Sequence, residues 1–195
     1  MKRCKWCGDD EFYQSYHDTE WGQPVLDDRT MFEFLLLETF QAGLSWITIL
    51  RKREHFRLAF DNFNYQLIAG YSEDKYLELL ENPGIIRNRL KIKAAIHNAQ
   101  LVPAIQSEFG SLCDYFWQWV NYTPVVKEPK TIEEYTANDA LSDAISKDLK
   151  KRGFKFVGTT VIYAHLQACG LVYEHEYNCY LAGKAPQKVT IKEAF

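Results

Sequence analysis

The segment Asn82-Pro83-Gly84-Ile85-Ile86-Arg87 decides the fold, because it joins two stretches of sequence whose apolar residues repeat with a helical period. Ser72, followed by two acidic residues, predicts the start of the helix before this segment. The helix after it begins near Arg87, and Pro103 is expected to interrupt or kink it. A tight turn between two helices presents backbone N–H groups that can bind a phosphate group without contacting a base. An ordinary helix corner has the same pattern, so the segment alone leaves both interpretations open.

The rest of the chain also has helical periodicity, and almost no segment alternates with period two. Asp27-Asp28 can cap a helix predicted over residues 30–42, and Asn138 or Asp139 can cap one that ends at residue 152. Further helices are predicted over residues 45–56 and 109–120, and from residue 159 or 160 to 170. The predicted fold class is therefore all-α. Residues 122–134 contain two prolines and form the longest predicted loop, which is the expected boundary between two packed lobes of one compact domain, residues 1–195.

Length and composition limit the class of protein. A chain of 195 residues with 47% hydrophobic and 25% charged residues is typical of one globular domain and excludes a disordered or fibrous protein. No apolar stretch approaches the roughly 20 residues that span a bilayer, and no export signal accompanies the five cysteines. We therefore expect a cytoplasmic protein with reduced thiols and no membrane partner.

The net charge of −3 argues against binding nucleic acid through bulk charge. Basic residues nevertheless form local clusters within residues 51–57, 87–93 and 147–155. Such clusters are typical of solvated helix faces, but three of them on one chain favour a basic surface if they converge.

Four residues near the two ends of the chain are candidate metal ligands: Cys4, His17, His175 and Cys179. On a helix, His175 and Cys179 would share one face, and two sulfurs with two imidazoles complete a tetrahedral zinc site. Cys7 forms a rival Cys-x-x-Cys pair with Cys4, so the choice of cysteine stays open. A site with four protein ligands has no open position, so such a zinc ion would be structural.

Glu38 stands among apolar neighbours, which is unusual for a carboxylate. Such a group is rarely buried without a partner, so Glu38 lies either at the polar edge of its helix or in a cavity with a cationic or hydrogen-bonding partner. The following turn places Gly43 and Leu44 just before Trp46. That turn suits a close approach to stacked bases, and it suits a packed helix corner equally well.

Five stretches of the sequence, in order along the chain, carry a more specific signal. They are Arg3-Cys4-Lys5-Trp6, Tyr16-His17-Asp18 through Glu20-Trp21-Gly22, Gln41-Ala42-Gly43-Leu44-Ser45-Trp46-Ile47-Thr48, Gly84-Ile85-Ile86-Arg87, and Lys151-Arg152-Gly153-Phe154-Lys155-Phe156-Val157-Gly158-Thr159-Thr160. Together they resemble the bacterial 3-methyladenine DNA glycosylases of type I, a family of the helix-hairpin-helix glycosylase superfamily. The resemblance extends from Met1 to about Cys179.

The resemblance implies an all-helical fold with a hairpin lobe of about residues 36–121 and a zinc lobe built from both termini. It also implies a monofunctional enzyme that flips 3-methyladenine out of alkylated DNA and hydrolyses its N-glycosidic bond, leaving an abasic site. We expect a monomer that binds alkylated double-stranded DNA and releases free 3-methyladenine.

Position by position, the resemblance implies roles for individual residues. Glu38 would be catalytic, and the base would be bound by Tyr16, Trp46, Tyr13, Trp6 and Trp21. Gly43 and Leu44 would fill the gap in the duplex, and Gly84, Ile85, Arg87, Lys151 and Arg152 would contact DNA. One structural Zn²⁺ ion would be held by Cys4, His17, His175 and Cys179. Cys7 departs from the family pattern and leaves an alternative cysteine at the metal site open.

The chemistry of the lesion agrees with this expectation. Methylation at N3 gives adenine a positive charge and weakens its bond to deoxyribose, so little chemical assistance is needed. The superfamily's usual catalytic aspartate has no counterpart around Pro103, and no lysine is assigned to a pocket, so we expect no strand cleavage. Two other classes stay open. A non-enzymatic DNA-binding protein would not need an acid among aromatic rings, and a zinc-stabilised protein-interaction domain would show no salt-dependent affinity for DNA.

Overall fold

The structure, a computed structural model, describes residues 1–191. Helices dominate this range, and the predicted all-α class is confirmed apart from one small pair of strands. The α-helices are α1 (Glu11–Thr19), α2 (Asp28–Gln41), α3 (Trp46–Ala59), α4 (Tyr65–Ala69), α5 (Glu73–Glu81), α6 (Arg89–Phe109), α7 (Leu112–Trp117), α8 (Ala140–Lys151) and α9 (Thr159–Ala168). Short 3₁₀ helices occupy Lys5–Cys7, Asp61–Phe63, Gln118–Val120 and Ile132–Glu134. Within residues 1–191, no helix combines the length and the apolar character that crossing a membrane takes.

Short polar side chains set the starts of several helices. The carboxylate of Asp27 caps α2, the hydroxyl of Ser72 caps α5, and Asp139 forms a capping box with Ser142 at the start of α8. These side chains satisfy backbone N–H groups that the first helical turn leaves unpaired. The helix starts predicted at these three places are confirmed.

Helix α2 lies at the centre of the fold. All residues from Met31 to Phe40 are buried, and the helix packs against α3, α6, α7 and α9. A helix that is buried on all sides has no polar edge. Its acidic residues Glu33 and Glu38 therefore lie inside the protein, at 4% and 2% exposure.

The two ends of the chain meet on one side of this core. The strand β1 (Val125–Lys127) pairs in parallel with β2 (Val172–Glu174). Only β1 lies in the segment of residues 122–134 that was predicted as a loop. The backbone N–H of Tyr180 donates to the carbonyl of Lys2 at 2.9 Å. One continuous apolar cluster includes residues from Cys4 to Val189, so both termini belong to the same core.

Two local expectations need correction. Pro103 does not interrupt α6, which continues to Phe109, because Pro103 faces solvent while Val102 and Ile105 on either side are buried and hold the helix against the core. The helix expected over residues 109–120 is divided at Gly110, whose φ of +95° ends α6 in a conformation that glycine adopts easily.

Candidate active site and metal centre

A cavity of about 300 Å³ lies between α1, α2, α3 and α9. Its lining consists of Trp6, Tyr13, Tyr16, Trp21, Glu38, Gln41, Trp46, Tyr135, Thr136, Ala164 and Gln167. A second cavity of about 350 Å³ shares Tyr16 with it and has four charged residues in its lining, of which Arg53 is ion-paired with Glu20. The first cavity is the candidate active site, because a buried carboxylate oxygen in its wall, Oε2 of Glu38, has no hydrogen-bond partner among residues 1–191.

Glu38 is the acid of this cavity. Its Oε2 atom has no hydrogen-bond partner among residues 1–191, and burial raises the pKa of Glu38 well above its ordinary range because the charged form loses its hydration. The hydroxyl of Tyr16 is also buried and lacks a partner within the described part of the chain. Burial first, and the charge of Glu38 second, raise the pKa of Tyr16. Buried polar atoms without partners are costly, so these two atoms indicate a site that a ligand completes.

Aromatic rings form the walls around Glu38. The rings of Tyr16 and Trp46 lie 6.0 Å apart between centroids and are tilted by 57°, whereas those of Tyr13 and Tyr16 are nearly parallel at 6.4 Å. Trp6 packs edge-on against Tyr13 at 4.9 Å and against Trp21 at 4.8 Å, so it joins these two rings within the same wall. The structure therefore brings together all five aromatic residues predicted for this pocket.

Part of the wall was not predicted from the sequence: Gln41, Tyr135, Thr136, Ala164 and Gln167. The side chain of Gln167 donates to Glu174, a buried carboxylate that also accepts a hydrogen bond from the Tyr163 hydroxyl at 3.0 Å. The Tyr135 hydroxyl donates to Glu176 at 3.3 Å. Gln41 lies in α2, one helical turn after Glu38, and begins a motif that was read as a turn and not as pocket wall. The other four lie far along the chain from Glu38 and belong to no local motif, and only the helical period of α9 relates Ala164 to Gln167.

The four candidate metal ligands meet in one buried cluster, in which all the ligand atoms lie within 4.8 Å of one another. Cys179 Sγ lies 3.5 Å from His17 Nε2 and 3.7 Å from His175 Nδ1, and Cys4 Sγ lies 3.5 Å from His175 Nδ1. Ordinary zinc–sulfur and zinc–nitrogen bond lengths at a tetrahedral angle place S and N about 3.6 Å apart. The donor atoms and their spacing therefore fit a tetrahedral metal ion.

Two details of the sequence prediction change here. His175 and Cys179 do not share a helix, because residues 175–180 form turns that follow β2, and the turn itself brings both side chains inward. Cys7 lies outside the cluster, since its thiol donates to the carbonyl of Cys4 at 3.0 Å. The alternative cysteine is thus excluded from the four-residue cluster in this structure.

Neighbouring charges orient one of the imidazoles. His17 Nδ1 contacts Asp18 Oδ1 at 2.9 Å, and Arg3 binds the same carboxylate at 2.7 Å. A hydrogen bond from Arg3 holds the pKa of Asp18 well below its usual range, and burial lowers the pKa of His17. A carboxylate on one ring nitrogen directs the other nitrogen of a neutral imidazole toward a metal ion.

The cluster and the cavity share neighbouring residues. Cys4 lies two residues before Trp6, and His17 directly follows Tyr16 in α1. The Trp6 and His17 rings are 5.4 Å apart. A metal ion bound by the cluster would therefore also fix the part of the pocket wall formed by Trp6 and Tyr16.

A tight turn leads from α2 to α3 beside the cavity. Gly43 has a φ of +85°, and a side chain at this position would meet no atom of residues 1–191 within 4 Å, so the turn is open to solvent. Leu44 is 40% exposed, and its N–H donates to the carbonyl of Gln41 at 2.6 Å. The turn thus presents an apolar side chain on a short, fixed loop next to Trp46.

The hairpin segment lies between α5 and α6. Lys52 of α3 donates to the carbonyls of Pro83 and Gly84 at 3.1 and 3.2 Å. A Cβ added at Gly84 would lie 2.9 Å from Cβ of His55, so α3 packs directly against the hairpin backbone. The side chain of Ile85 packs into the core, so the backbone of this residue is the part that can contact a ligand. Arg87 is exposed.

Comparison with known proteins relates this chain to a protein family. The family profile described as methyladenine glycosylase matches residues 6–182. The chain belongs to this family. It is 45% identical to the DNA-3-methyladenine glycosylase 1 of Escherichia coli (strain K12), over 92% of this chain and 96% of the relative. It is 41% identical to the DNA-3-methyladenine glycosylase of Haemophilus influenzae (strain ATCC 51907 / DSM 11121 / KW20 / Rd), over 91% of this chain and 96% of the relative.

The fold of this methyladenine glycosylase family member matches solved structures as well. One is a tyrosine-to-phenylalanine variant of a 3-methyladenine DNA glycosylase I (TAG) in complex with 3-methyladenine. It is 33% identical to this chain, with a TM-score of 0.89 over 97% of this chain and 100% of the other.

The basic clusters of this family member are only partly available for DNA. Lys151 is exposed, whereas Arg152 is ion-paired with Glu108 and Asp148, both at 2.6 Å, and its guanidinium lies over the Phe109 ring. A phosphate would have to replace these carboxylates on Arg152. In the cluster of residues 51–57, Arg53 and Arg57 are likewise committed to the buried carboxylate of Glu33.

Proposed function

We propose that this protein excises 3-methyladenine from alkylated double-stranded DNA by hydrolysing the N-glycosidic bond, with Glu38 as the catalytic carboxylate. The observation that carries the proposal is the buried, unpartnered Oε2 of Glu38 in a cavity walled by Tyr16 and Trp46. The names of the family's relatives support the choice of base, since they are DNA-3-methyladenine glycosylases. A DNA-holding protein would have no use for such a cavity.

Charge explains how the pocket selects its base. A cation over an aromatic face gains up to about 2 kcal/mol when it is desolvated. A nearby carboxylate adds a few kcal/mol at an effective dielectric constant of about 20. Both gains vanish for a neutral adenine, while extruding any nucleotide costs a few kcal/mol. The same two interactions therefore admit the methylated base and leave the normal base in the stack.

The reaction needs few protein groups. Glu38 accepts hydrogen bonds from the base edge, while Tyr16 and Trp46 bind its faces. The C1′–N9 bond breaks, and its electron pair neutralises the positive charge of the departing base. Water adds to C1′ of the deoxyribose and gives its proton to solvent. The products are free 3-methyladenine and an abasic site, and the absence of a general base is tolerable because the leaving group is already good.

We propose that Cys4, His17, His175 and Cys179 hold one Zn²⁺ ion. The donor set, its burial and its sulfur–nitrogen distances support zinc over harder cations, which prefer oxygen ligands. With four protein ligands the ion supplies cross-linking and no reaction chemistry. Its role is to join the two ends of the chain behind Trp6 and Tyr16.

The same proposal covers the DNA interface and the lobes. The hairpin lobe, about residues 36–121, presents the backbone of Gly84 and Ile85 with the side chain of Arg87 to phosphates. Gly43 and Leu44 fill the space of the extruded nucleotide, and Lys151 and Arg152 contact the backbone from the other lobe. Both lobes act as one domain, because α2 packs against α6 and α7 and also against α9.

The direct experiment is incubation of the protein with methylated duplex DNA and identification of any released base. We expect free 3-methyladenine and a matching number of abasic sites, with unmethylated duplex releasing nothing. Binding of duplex with every base intact would favour the non-enzymatic DNA-binding protein instead.

A further inference from the structure

Lys91 stands out among the basic residues near the hairpin, because it is buried. It lies in the first turn of α6 and is 6% exposed. Its ammonium group donates to the carbonyl of Phe40 at 2.8 Å and to the carbonyl of Ala42 at 2.6 Å. A side chain that is buried and directed at two protein carbonyls is not placed to bind a phosphate.

The two carbonyls belong to the C-terminal end of α2. The last carbonyls of a helix lack partners within the helix and carry a partial negative charge, so a cation there is favourable. Burial lowers the pKa of Lys91, because the charged form loses hydration. The two carbonyls compensate for that loss, and the bond crosses from α6 to α2 through the core.

This contact joins two parts of the proposed DNA-binding surface. On one side, Asn88 ends the hairpin and caps α6 by accepting from the N–H groups of Leu90 and Lys91 at 3.0 and 3.1 Å. On the other side, Ala42 is directly followed by Gly43 and Leu44, whose turn is held to α2 by the bond from Leu44 N–H to Gln41. Glu38 lies one helical turn before Ala42 on α2.

We propose that Lys91 is a positioning residue that locks the turn of Gly43 and Leu44 to the hairpin. The hairpin and this turn then move as one rigid unit. Binding of the hairpin to the DNA backbone therefore sets how deeply Leu44 enters the duplex. This inference rests on the proposed function, in which Leu44 fills the gap left by the flipped base. Lys91 touches neither DNA nor the base in this arrangement.

The test compares Lys91→Met, which removes the donors, with Lys91→Gln, which keeps amide donors but loses the charge. Lys75→Met is the control, because Lys75 is a half-buried lysine outside the three basic clusters and pairs with Glu78 at 2.7 Å. Each variant is measured for excision of 3-methyladenine from two duplexes, one with thymine opposite the lesion and one with an abasic site opposite it. Binding of free 3-methyladenine and the salt dependence of duplex binding are measured as well. Thermal unfolding checks that each variant is folded.

We expect Lys91→Met to lower kcat/KM on the paired substrate by about 10- to 100-fold, the cost typical of a misplaced functional group. The loss of kcat/KM should be much smaller on the duplex with an abasic site opposite the lesion, because an unpaired base is easier to extrude. Binding of the free base should stay within about twofold of the parent, as for uncoupled sites. Lys91→Gln should retain more activity than Lys91→Met, and Leu44→Ala combined with Lys91→Met should lose little beyond the worse single variant. Lys75→Met should excise paired 3-methyladenine like the parent.

Three results would overturn the inference. In both Lys91 variants, the slope of the logarithm of the DNA-binding constant against the logarithm of salt concentration could be smaller in magnitude by about 0.9. That result would make Lys91 a phosphate contact. Equal losses on both substrates and in free-base binding would indicate general loosening of the pocket, and unchanged excision would leave Lys91 without a role. If Lys91→Met does not fold, Lys91→Gln still decides between the first result and the proposal. A parent protein that releases no base would overturn the proposed function itself, which is a separate outcome.

Discussion

At the scale of single residues, Glu38 shows how function opposes stability. It lies on a helix that is buried on all sides, and its Oε2 has no partner in the part of the chain that the structure describes. Burial raises its pKa, so the folded protein resists its ionisation. A positively charged base would supply the missing partner and favour the carboxylate form. The cost of the buried acid is thus offset when the ligand binds.

The first prediction concerns stability and pH. Because the folded-state pKa of Glu38 is raised, its contribution to stability is retained below its unfolded pKa, about 4.3, and is lost as the pH rises through the folded-state value. Glu38→Gln removes this loss, so we expect its melting temperature to exceed that of the parent by about 2 °C or more at pH 8. The difference should vanish near pH 4. Calorimetry across this pH range checks both values, and a variant less stable than the parent at pH 8 would contradict the account.

At the scale of elements, the hairpin depends on a close contact with α3. Gly84 leaves no room for a side chain, because an added Cβ would lie 2.9 Å from Cβ of His55 and 3.0 Å from Oδ1 of Asn82. Contacts this short force backbone or helix to move. Lys52 reinforces the arrangement through the carbonyls of Pro83 and Gly84. The conformation of the hairpin is therefore set by α3 as much as by its own sequence.

The second prediction follows from that contact. We expect Gly84→Ala to weaken binding of duplex DNA by about tenfold or more, because displacing the hairpin misaligns its N–H groups with the phosphate. Gly158→Ala is the matched control, since its added Cβ would meet no atom of residues 1–191 within 4 Å and its φ is −61°. Fluorescence anisotropy with labelled duplex measures both variants. Equal affinities for Gly84→Ala and the parent would rule out a role for the hairpin geometry.

The sequence predicts elements better than it predicts their partners. Ser72, Asp27 and Asp139 cap helices where expected, because a cap depends on residues only three positions apart. Lys91 and Arg152 were grouped with exposed basic residues, yet each is held by partners more than forty positions away. Such pairings depend on tertiary packing, which no local pattern records.

The candidate site divides in the same way. Tyr16 and Trp46 within the motifs, and Glu38 just before one of them, were predicted to share a pocket and do so. Tyr135 and Gln167 were missed, because they reach the cavity from a loop and a helix in the second half of the chain. The four metal-ligand candidates converge although the expected helix for His175 and Cys179 is wrong. The sequence therefore predicted which residues meet in the cluster but not the backbone conformation that brings them together.

At the scale of the whole molecule, the Cys–His cluster joins the two ends of the chain. Cys4 directly precedes the first 3₁₀ helix, His17 lies in α1, and His175 and Cys179 follow the last strand. A metal ion bound here stabilises the folded state by its own binding free energy, because the unfolded chain does not hold the ligands together. Trp6 and Tyr16 lie next to the candidate ligands along the chain, so a bound metal ion would also support the pocket.

The third prediction tests this cross-link. We expect Cys179→Ser to lose most of its zinc, to melt several degrees lower than the parent, and to bind free 3-methyladenine more weakly, because Trp6 and Tyr16 lose their support. Cys7→Ser is the matched control, since Cys7 is a buried cysteine of the same terminal segment outside the cluster. Elemental analysis and calorimetry measure the effects. Full zinc content in Cys179→Ser would remove this residue from the ligand set, and loss of zinc in Cys7→Ser would restore the rival cysteine.

The central claim is that a buried carboxylate among aromatic rings selects a positively charged purine and promotes its release. Its most direct test is single-turnover excision from a duplex with one 3-methyladenine, comparing the parent with Glu38→Gln and identifying the released base by mass spectrometry. We predict release of 3-methyladenine by the parent and a rate at least about 100-fold lower for the folded Glu38→Gln protein, as when one preorganised electrostatic contact is lost. Equal rates for the two proteins, with Glu38→Gln folded, would contradict the claim.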